Sequence, residues 1–186
     1  MKSLLHKWRK FLILEGLEHY AVGGKIRLYH YSEAKDETLT LDPDYFLSRG
    51  SSFTRRDRDV SGQPRIFFYT NLDHAESIVK AGRSLYTAFV DTNKVYDLTK
   101  DPEGLLKKSR PYPEINQPDI DKVLRSLADK SQADGPEGIR DEEGQLYFGV
   151  FYRVGGVDMV NLFEPIEVHK FNPEDVKSPL DDTGDV

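Results

Sequence analysis

Three groups of residues have the types and spacing to do chemistry. The first is the run Arg65-Ile-Phe-Phe-Tyr-Thr-Asn-Leu-Asp-His-Ala-Glu-Ser-Ile-Val79, which joins an aromatic, β-favouring segment to a helix start. Asp73 offers an N-cap oxygen, Glu76 three residues on completes a capping box, and Gly82 marks a stop. The turn between strand and helix would set N–H groups and a positive helix end beside Phe67, Phe68 and Tyr69, a surface suited to a flat, anionic ligand such as a dinucleotide. An ordinary strand-to-helix connection in a mixed domain has the same local pattern. The second is His30, which closes the face shared with Ile26 and Leu28 on the strand Lys25-Ile-Arg-Leu-Tyr-His-Tyr-Ser32. Either it serves a ligand or it is a satisfied histidine at the core rim. The third is Arg55, Arg56 and Arg58, whose guanidinium forks match the oxygens of a pyrophosphate, unless Asp57 and Asp59 simply pair with them in solvent.

The elements that must position these groups lie in one chain of 186 residues, the length of a single domain with a substantial core. With 26 basic and 32 acidic residues the net charge is -6, which argues against a sequence-independent grip on nucleic acid. There is no cysteine, and the five histidines fall at no metal-ligand spacing, so no metal is expected and a reducing cytoplasm is permitted. Residues 1–24 read as an amphipathic helix, carrying Leu4, Trp8, Phe11, Leu12 and Leu17, packed on its own domain. Its apolar run is too short for a signal peptide or a membrane span.

Residues 25–177 form the domain. Residues 33–64 read as a long connection with little regular structure. Strands are expected over residues 85–90 and 94–98, a helix over 119–130, a mobile acidic loop over 131–145, and a hairpin of residues 146–153 and 157–163 around Gly155-Gly156. Pro165 breaks the ladder before a last strand over 166–171, and residues 178–186 form an acidic, flexible tail. Strands flanking helices without regular βαβ alternation give an α+β class.

Several of these pieces, taken in order, resemble the ADP-ribosyltransferase-like superfamily, in particular its His-Tyr-Glu-type bacterial and phage members. Leu28-Tyr-His-Tyr-Ser32 is similar to the opening strand, and Ile66-Phe-Phe-Tyr-Thr-Asn71 leading into Asp73-His-Ala75 to the second signature. Val95-Tyr-Asp-Leu98, with Asp101-Pro102 behind it, resembles the following strand pair. Gly135-Pro-Glu-Gly-Ile139 and Leu162-Phe-Glu-Pro165 resemble the closing segment, and the likeness covers about residues 25–171. It implies a split β-sandwich of two small antiparallel sheets with flanking helices, and NAD as substrate in a cleft between them.

It also implies roles. His30 would hydrogen-bond the ribose beside the nicotinamide, with Tyr31, Ser32, Arg56 and Thr70 also at the dinucleotide. An aromatic from Phe67, Phe68 or Tyr69 would line the nicotinamide pocket. The family's acid would stabilise an oxocarbenium-like state or hold the ribose hydroxyls. Here its place falls on Met159, which can do neither; Asp158 is the preferred substitute, with Glu143 and Glu164 as the other candidates.

The activity so implied is mono-ADP-ribosylation of a host macromolecule, protein in preference to nucleic acid, by a cytoplasmic toxin or effector encoded by a phage or other mobile element. Two alternatives stand beside it. One is a catalytically degenerate module of the same fold that binds NAD or a partner without turnover. The other is an acidic inhibitor that captures a basic, nucleic-acid-binding enzyme.

Overall fold

The computed structural model describes residues 16–44, 65–77, 82–102, 104, 143–154 and 156–172. They are mostly β. Nine strands are β1 (Ala21–Val22), β2 (Lys25–Ser32), β3 (Thr38–Leu41), β4 (Ile66–Tyr69), β5 (Ser84–Asp91), β6 (Val95–Asp97), β7 (Gly149–Val154), β8 (Val157–Leu162) and β9 (Ile166–Lys170). One short helix, α1 (Leu72–Ser77), and two 3-10 turns, Leu17–Tyr20 and Thr92–Lys94, accompany them. The strand order is β3-β9-β5-β2-β4-β8-β7-β6, with β1 paired on β2. All pairs are antiparallel except β6 with β7. The expectation of two small antiparallel sheets thus gives way to one mixed, hydrogen-bonded sheet of nine strands.

Side-chain alternation sorts the sheet into two faces. The inner face carries Ile26, Leu28, Tyr86, Ala88, Val90, Ile66, Phe68, Val160, Leu162, Phe151, Val95 and Val168, which are buried together in a single core. Leu17 enters that core from the turn ahead of β1. Two turns are fitted to their hairpins: Gly23 and Gly24, both at positive φ, close β1 on β2, and Gly156 at φ 82° stands between β7 and β8. Gly149 lies so close to β8 that an added Cβ would collide with the Asn161 carbonyl and reach Leu162 Cδ2 at 2.6 Å.

The sheet is unevenly sewn. β2 pairs with β5 without a break from Lys25↔Asp91 to Ser32↔Ser84, and β4 pairs with β8 from Ile66↔Leu162 to Tyr69↔Met159. Between β2 and β4, however, the only bridge is Tyr29↔Tyr69. The four strands β3-β9-β5-β2 and the four strands β4-β8-β7-β6 are therefore joined in the ladder by one residue pair.

Three local expectations are corrected. The supposed loop over residues 33–64 contains β3, whose alternating Thr38-Leu-Thr-Leu41 pairs with β9 from Thr38↔His169 to Leu41↔Ile166. Helix α1 begins one residue before Asp73, capped by Asn71, whose Oδ1 accepts from the N–H groups of Asp73 at 2.8 Å and His74 at 3.3 Å. Asp73 is instead an acid of the first turn, favourably placed at the positive helix end. Of the helix expected over residues 1–24, the described part is a 3-10 turn and a two-residue strand. The helix over 119–130, most of the loop over 131–145, the Gly135–Ile139 motif and the tail lie outside the described residues.

Candidate functional site

The join between β2 and β4 gathers most of the residues singled out above. His30 sits next to the bridge residue Tyr29 and points to the inner face, as its alternation with Ile26 and Leu28 requires. Its Nδ1 lies 2.8 Å from the Phe67 carbonyl oxygen, and its ring centroid is 5.4 Å from that of Phe68. Because a carbonyl can only accept, Nδ1 carries the proton and Nε2 is the acceptor nitrogen of the neutral ring. Burial holds the imidazole below its ordinary pKa; the Phe67 carbonyl opposes that shift and the positive charge of Arg83 adds to it. His30 is thus a neutral, oriented hydrogen-bond acceptor at neutral pH.

Phe68 is sealed in the core, whereas Phe67 and Tyr69 belong to the outer face. There Tyr69 lies between Tyr31, at 6.3 Å, and His74 of α1, at 5.5 Å, and burial raises its phenol pKa. The guanidinium of Arg65 stacks over Phe67 at 5.1 Å. Ser32 ends β2, and its Oγ accepts from the Ala34 N–H at 3.1 Å, a turn-forming bond. His30 and Tyr69 are therefore close along the strands but on opposite faces of the sheet.

On the inner face, one step beyond β4, Thr70 continues the pairing with β8. Its N–H and its hydroxyl both lie 3.4 Å from the backbone oxygen of Asp158. The Asp158 carboxylate is gripped by Arg153 across the β7–β8 hairpin. Nε of Arg153 donates to Oδ1 and Nη2 donates to Oδ2 at 2.5 Å, with the two side chains 20% and 8% exposed. Tyr20 donates its hydroxyl to Oδ2 from the turn ahead of β1. Burial, then the hydrogen bond and charge of Asp158, raise the Tyr20 pKa above its ordinary value, so this phenol stays a protonated donor; Thr70 and Arg153 oppose the shift. Phe67, to which His30 is tied, and Thr70, which abuts Asp158, are three residues apart, about 10 Å at the rise of a strand.

The other two acids are elsewhere. Glu143 pairs with Lys94 Nζ at 2.5 Å, at the end of the sheet where β6 and β7 begin. Glu164 follows β8 at that same end and is half-buried, six residues beyond Asp158. Arg56, with Arg55 and Arg58, lies outside the described residues. Met159 stands directly opposite Tyr69 in the β4–β8 register. Thus the structure assembles His30, Thr70 and Asp158 on one face, groups Tyr31, Phe67 and Tyr69 on the other, and separates Glu143 and Glu164 from both.

Sequence reasoning missed Tyr20 and Arg153. Arg153 had a usable signal, because a two-residue turn at Gly155-Gly156 makes residues 153 and 158 a cross-strand pair of opposite charge. Tyr20 had none, since its approach to Asp158 depends on how the chain crosses the sheet. Among the described residues no group of three or more His, Asp or Glu is placed to hold a metal ion, and no helix is long and apolar enough to cross a membrane. Comparison of the chain with protein-family models, with curated proteins and with solved structures finds no match.

Proposed function

We propose that this chain is a mono-ADP-ribosyltransferase that uses NAD as substrate, with its site along the β2–β4 join. The observation that carries the reading is His30: a neutral imidazole, locked by the Phe67 carbonyl, at the line where two four-strand halves are held by the single bridge Tyr29↔Tyr69. In this reading the two halves of the one sheet correspond to the two sheets of a split sandwich, and the dinucleotide lies along the thin ladder between them. Nε2 of His30 accepts a hydroxyl of the nicotinamide ribose. Asp158, on the same face, holds the other end of that sugar. Tyr69 and Tyr31 lie on the opposite face of the sheet and take no part at the ribose in this arrangement.

In the reaction the C1′–N bond breaks, and nicotinamide leaves with the bonding electron pair. A nucleophile of the acceptor then forms the new bond to C1′ and loses its proton to solvent. Fixed acceptors around the ribose accelerate this step because positive charge develops on the sugar in the transition state. The acceptor is a macromolecule, protein in preference to nucleic acid, in keeping with the net charge of -6.

Incubation with NAD labelled in its adenosine half and a cell extract tests this. Label on a discrete species and free nicotinamide are expected, with nicotinamide release falling about 100-fold in His30→Ala, the scale of one lost transition-state hydrogen bond. A wild-type protein that neither binds NAD nor releases nicotinamide would sink the reading.

A second reading is a binding module of the same fold that holds NAD or a partner without turnover. Two features favour it: Met159 at the place of the family's acid, and the engagement of both Asp158 carboxylate oxygens by Arg153 and Tyr20. It expects saturable NAD binding with no nicotinamide produced.

A further inference from the structure

The polar cluster around Asp158 is built from three separate parts of the chain. Residues 16–20 cross the inner face as a strap. Leu17 donates its N–H to Asp97 Oδ2 at 2.9 Å and buries its side chain in the core, while Gly16 is packed so tightly under Asp97 and Thr99 that a side chain there would collide with both. That anchorage delivers Tyr20, whose ring rests 6.0 Å from Phe151, to the carboxylate. Arg153 arrives from β7 and Thr70 from the end of β4. His19 stands edge-on to Tyr20 at 5.1 Å, and these are the titratable and polar groups that the described residues set around Asp158.

A carboxylate has about four acceptor sites, two on each oxygen. Arg153 takes one on Oδ1 and one on Oδ2, and Tyr20 takes the second on Oδ2. Among the described residues Oδ2 is thereby full and Oδ1 keeps one site. A carboxylate so balanced by a guanidinium has little net charge to offer a developing cation, but it can still accept one hydroxyl in a fixed direction.

Building on the transferase reading, we propose that Tyr20 is a positioning residue for Asp158: with the Arg153 fork it fixes the carboxylate so that one oxygen site is left to hold a ribose hydroxyl. Asp158 then acts by orienting the sugar and not by neutralising charge on it. Tyr20 precedes the stretch that carries the family resemblance, so that resemblance assigns it no role.

Tyr20→Phe keeps the ring on Phe151 and the strap in place while removing the donor. The carboxyl-carbon resonance of Asp158 at neutral pH is expected to move in Tyr20→Phe, because the hydroxyl no longer donates to Oδ2. Coincident Asp158 carboxyl resonances in the two proteins overturn the proposal without reference to turnover. In nicotinamide release, Tyr20→Phe is expected to lower kcat about tenfold with KM for NAD nearly unchanged. An unchanged kcat overturns it as well. Undiminished release from Asp158→Asn removes the acid and takes the proposal with it; the transferase reading survives that outcome if His30→Ala still falls. Absence of nicotinamide from every protein, wild type included, overturns both.

Discussion

Strand β2 treats its two neighbours differently. Toward β5 every residue from Lys25 to Ser32 has a partner, so the backbone satisfies itself and the side chains Ile26, Leu28, Ala88 and Val90 are left to pack. Toward β4 the ladder shrinks to Tyr29↔Tyr69, and a side chain, His30, supplies the contact to the Phe67 carbonyl. A similar substitution occurs farther along β4, where the Thr70 hydroxyl joins the Thr70 N–H at the Asp158 carbonyl. At β4, therefore, two polar side chains, His30 and Thr70, meet backbone carbonyls beside the ladder. The ladder side carries the stability, and in the proposed reading the join carries the chemistry.

That contrast can be broken or sharpened by measurement. The largest effect is expected on the ladder side: Leu28→Ala, which empties a fully buried site, should cost about 3 kcal/mol in denaturant unfolding. The His30 imidazole should titrate as in wild type. A cost under about 1 kcal/mol would mean that the ladder side is not the anchor. His30→Ala should cost less, about 1–2 kcal/mol, since it strips one donor from the Phe67 carbonyl. Hydrogen exchange should then quicken in β4 and leave the β2–β5 amides protected; equal acceleration on both sides would erase the distinction.

A third expectation concerns pH. The folded-state pKa of His30 lies below its unfolded value near 6.5, so the unfolded chain binds the proton more readily. This residue's contribution is whole above pH 6.5 and declines as pH falls toward the folded pKa, with a slope of at most about 1.4 kcal/mol per pH unit. His30→Gln should flatten that part of the unfolding profile; an unaltered slope would show that His30 is not its source. The smallest effect is expected of Arg83→Ala. It removes a distant positive charge and should raise the imidazole midpoint slightly in proton NMR, while its exposed pairing with Glu33 contributes almost nothing to stability. A downward shift would contradict the assigned sign.

The periodic parts of the fold were legible in the sequence. The alternation of Ile26, Leu28 and His30 identified both a strand and the face to which His30 belongs, and Gly155-Gly156 with Pro165 bounded β8 and β9 to within a residue, although β7 begins at Gly149, three residues later than expected. Short or ambiguous signals were misread. Thr38–Leu41 is a four-residue strand lost in a polar stretch, and in Asn71-Leu-Asp73 two equally good capping residues compete, of which Asn71 wins. In the site, His30 was legible because its strand is regular. The partners of Asp158 were less so, as one is fixed by a hairpin register and the other by a strap from far upstream. The parallel pairing of β6 with β7 was invisible for the same reason, since local pattern carries no information on which distant strand lies alongside.

The position of β9 has a consequence for how the chain becomes a folded molecule. It is the last strand in the described residues, yet it is interior to the sheet, hydrogen-bonded to β3 on one side and β5 on the other. Likewise β4 finds its main partner in β8, which follows it by almost ninety residues. Neither β3 nor β4 finds its main partner early, so a growing chain would leave both with bare edges until the late strands β8 and β9, ending at Lys170, have been made. A stop codon just after Pro165 would accordingly remove an interior strand and leave β3 without its partner, and the truncated product is expected to be recovered as aggregate.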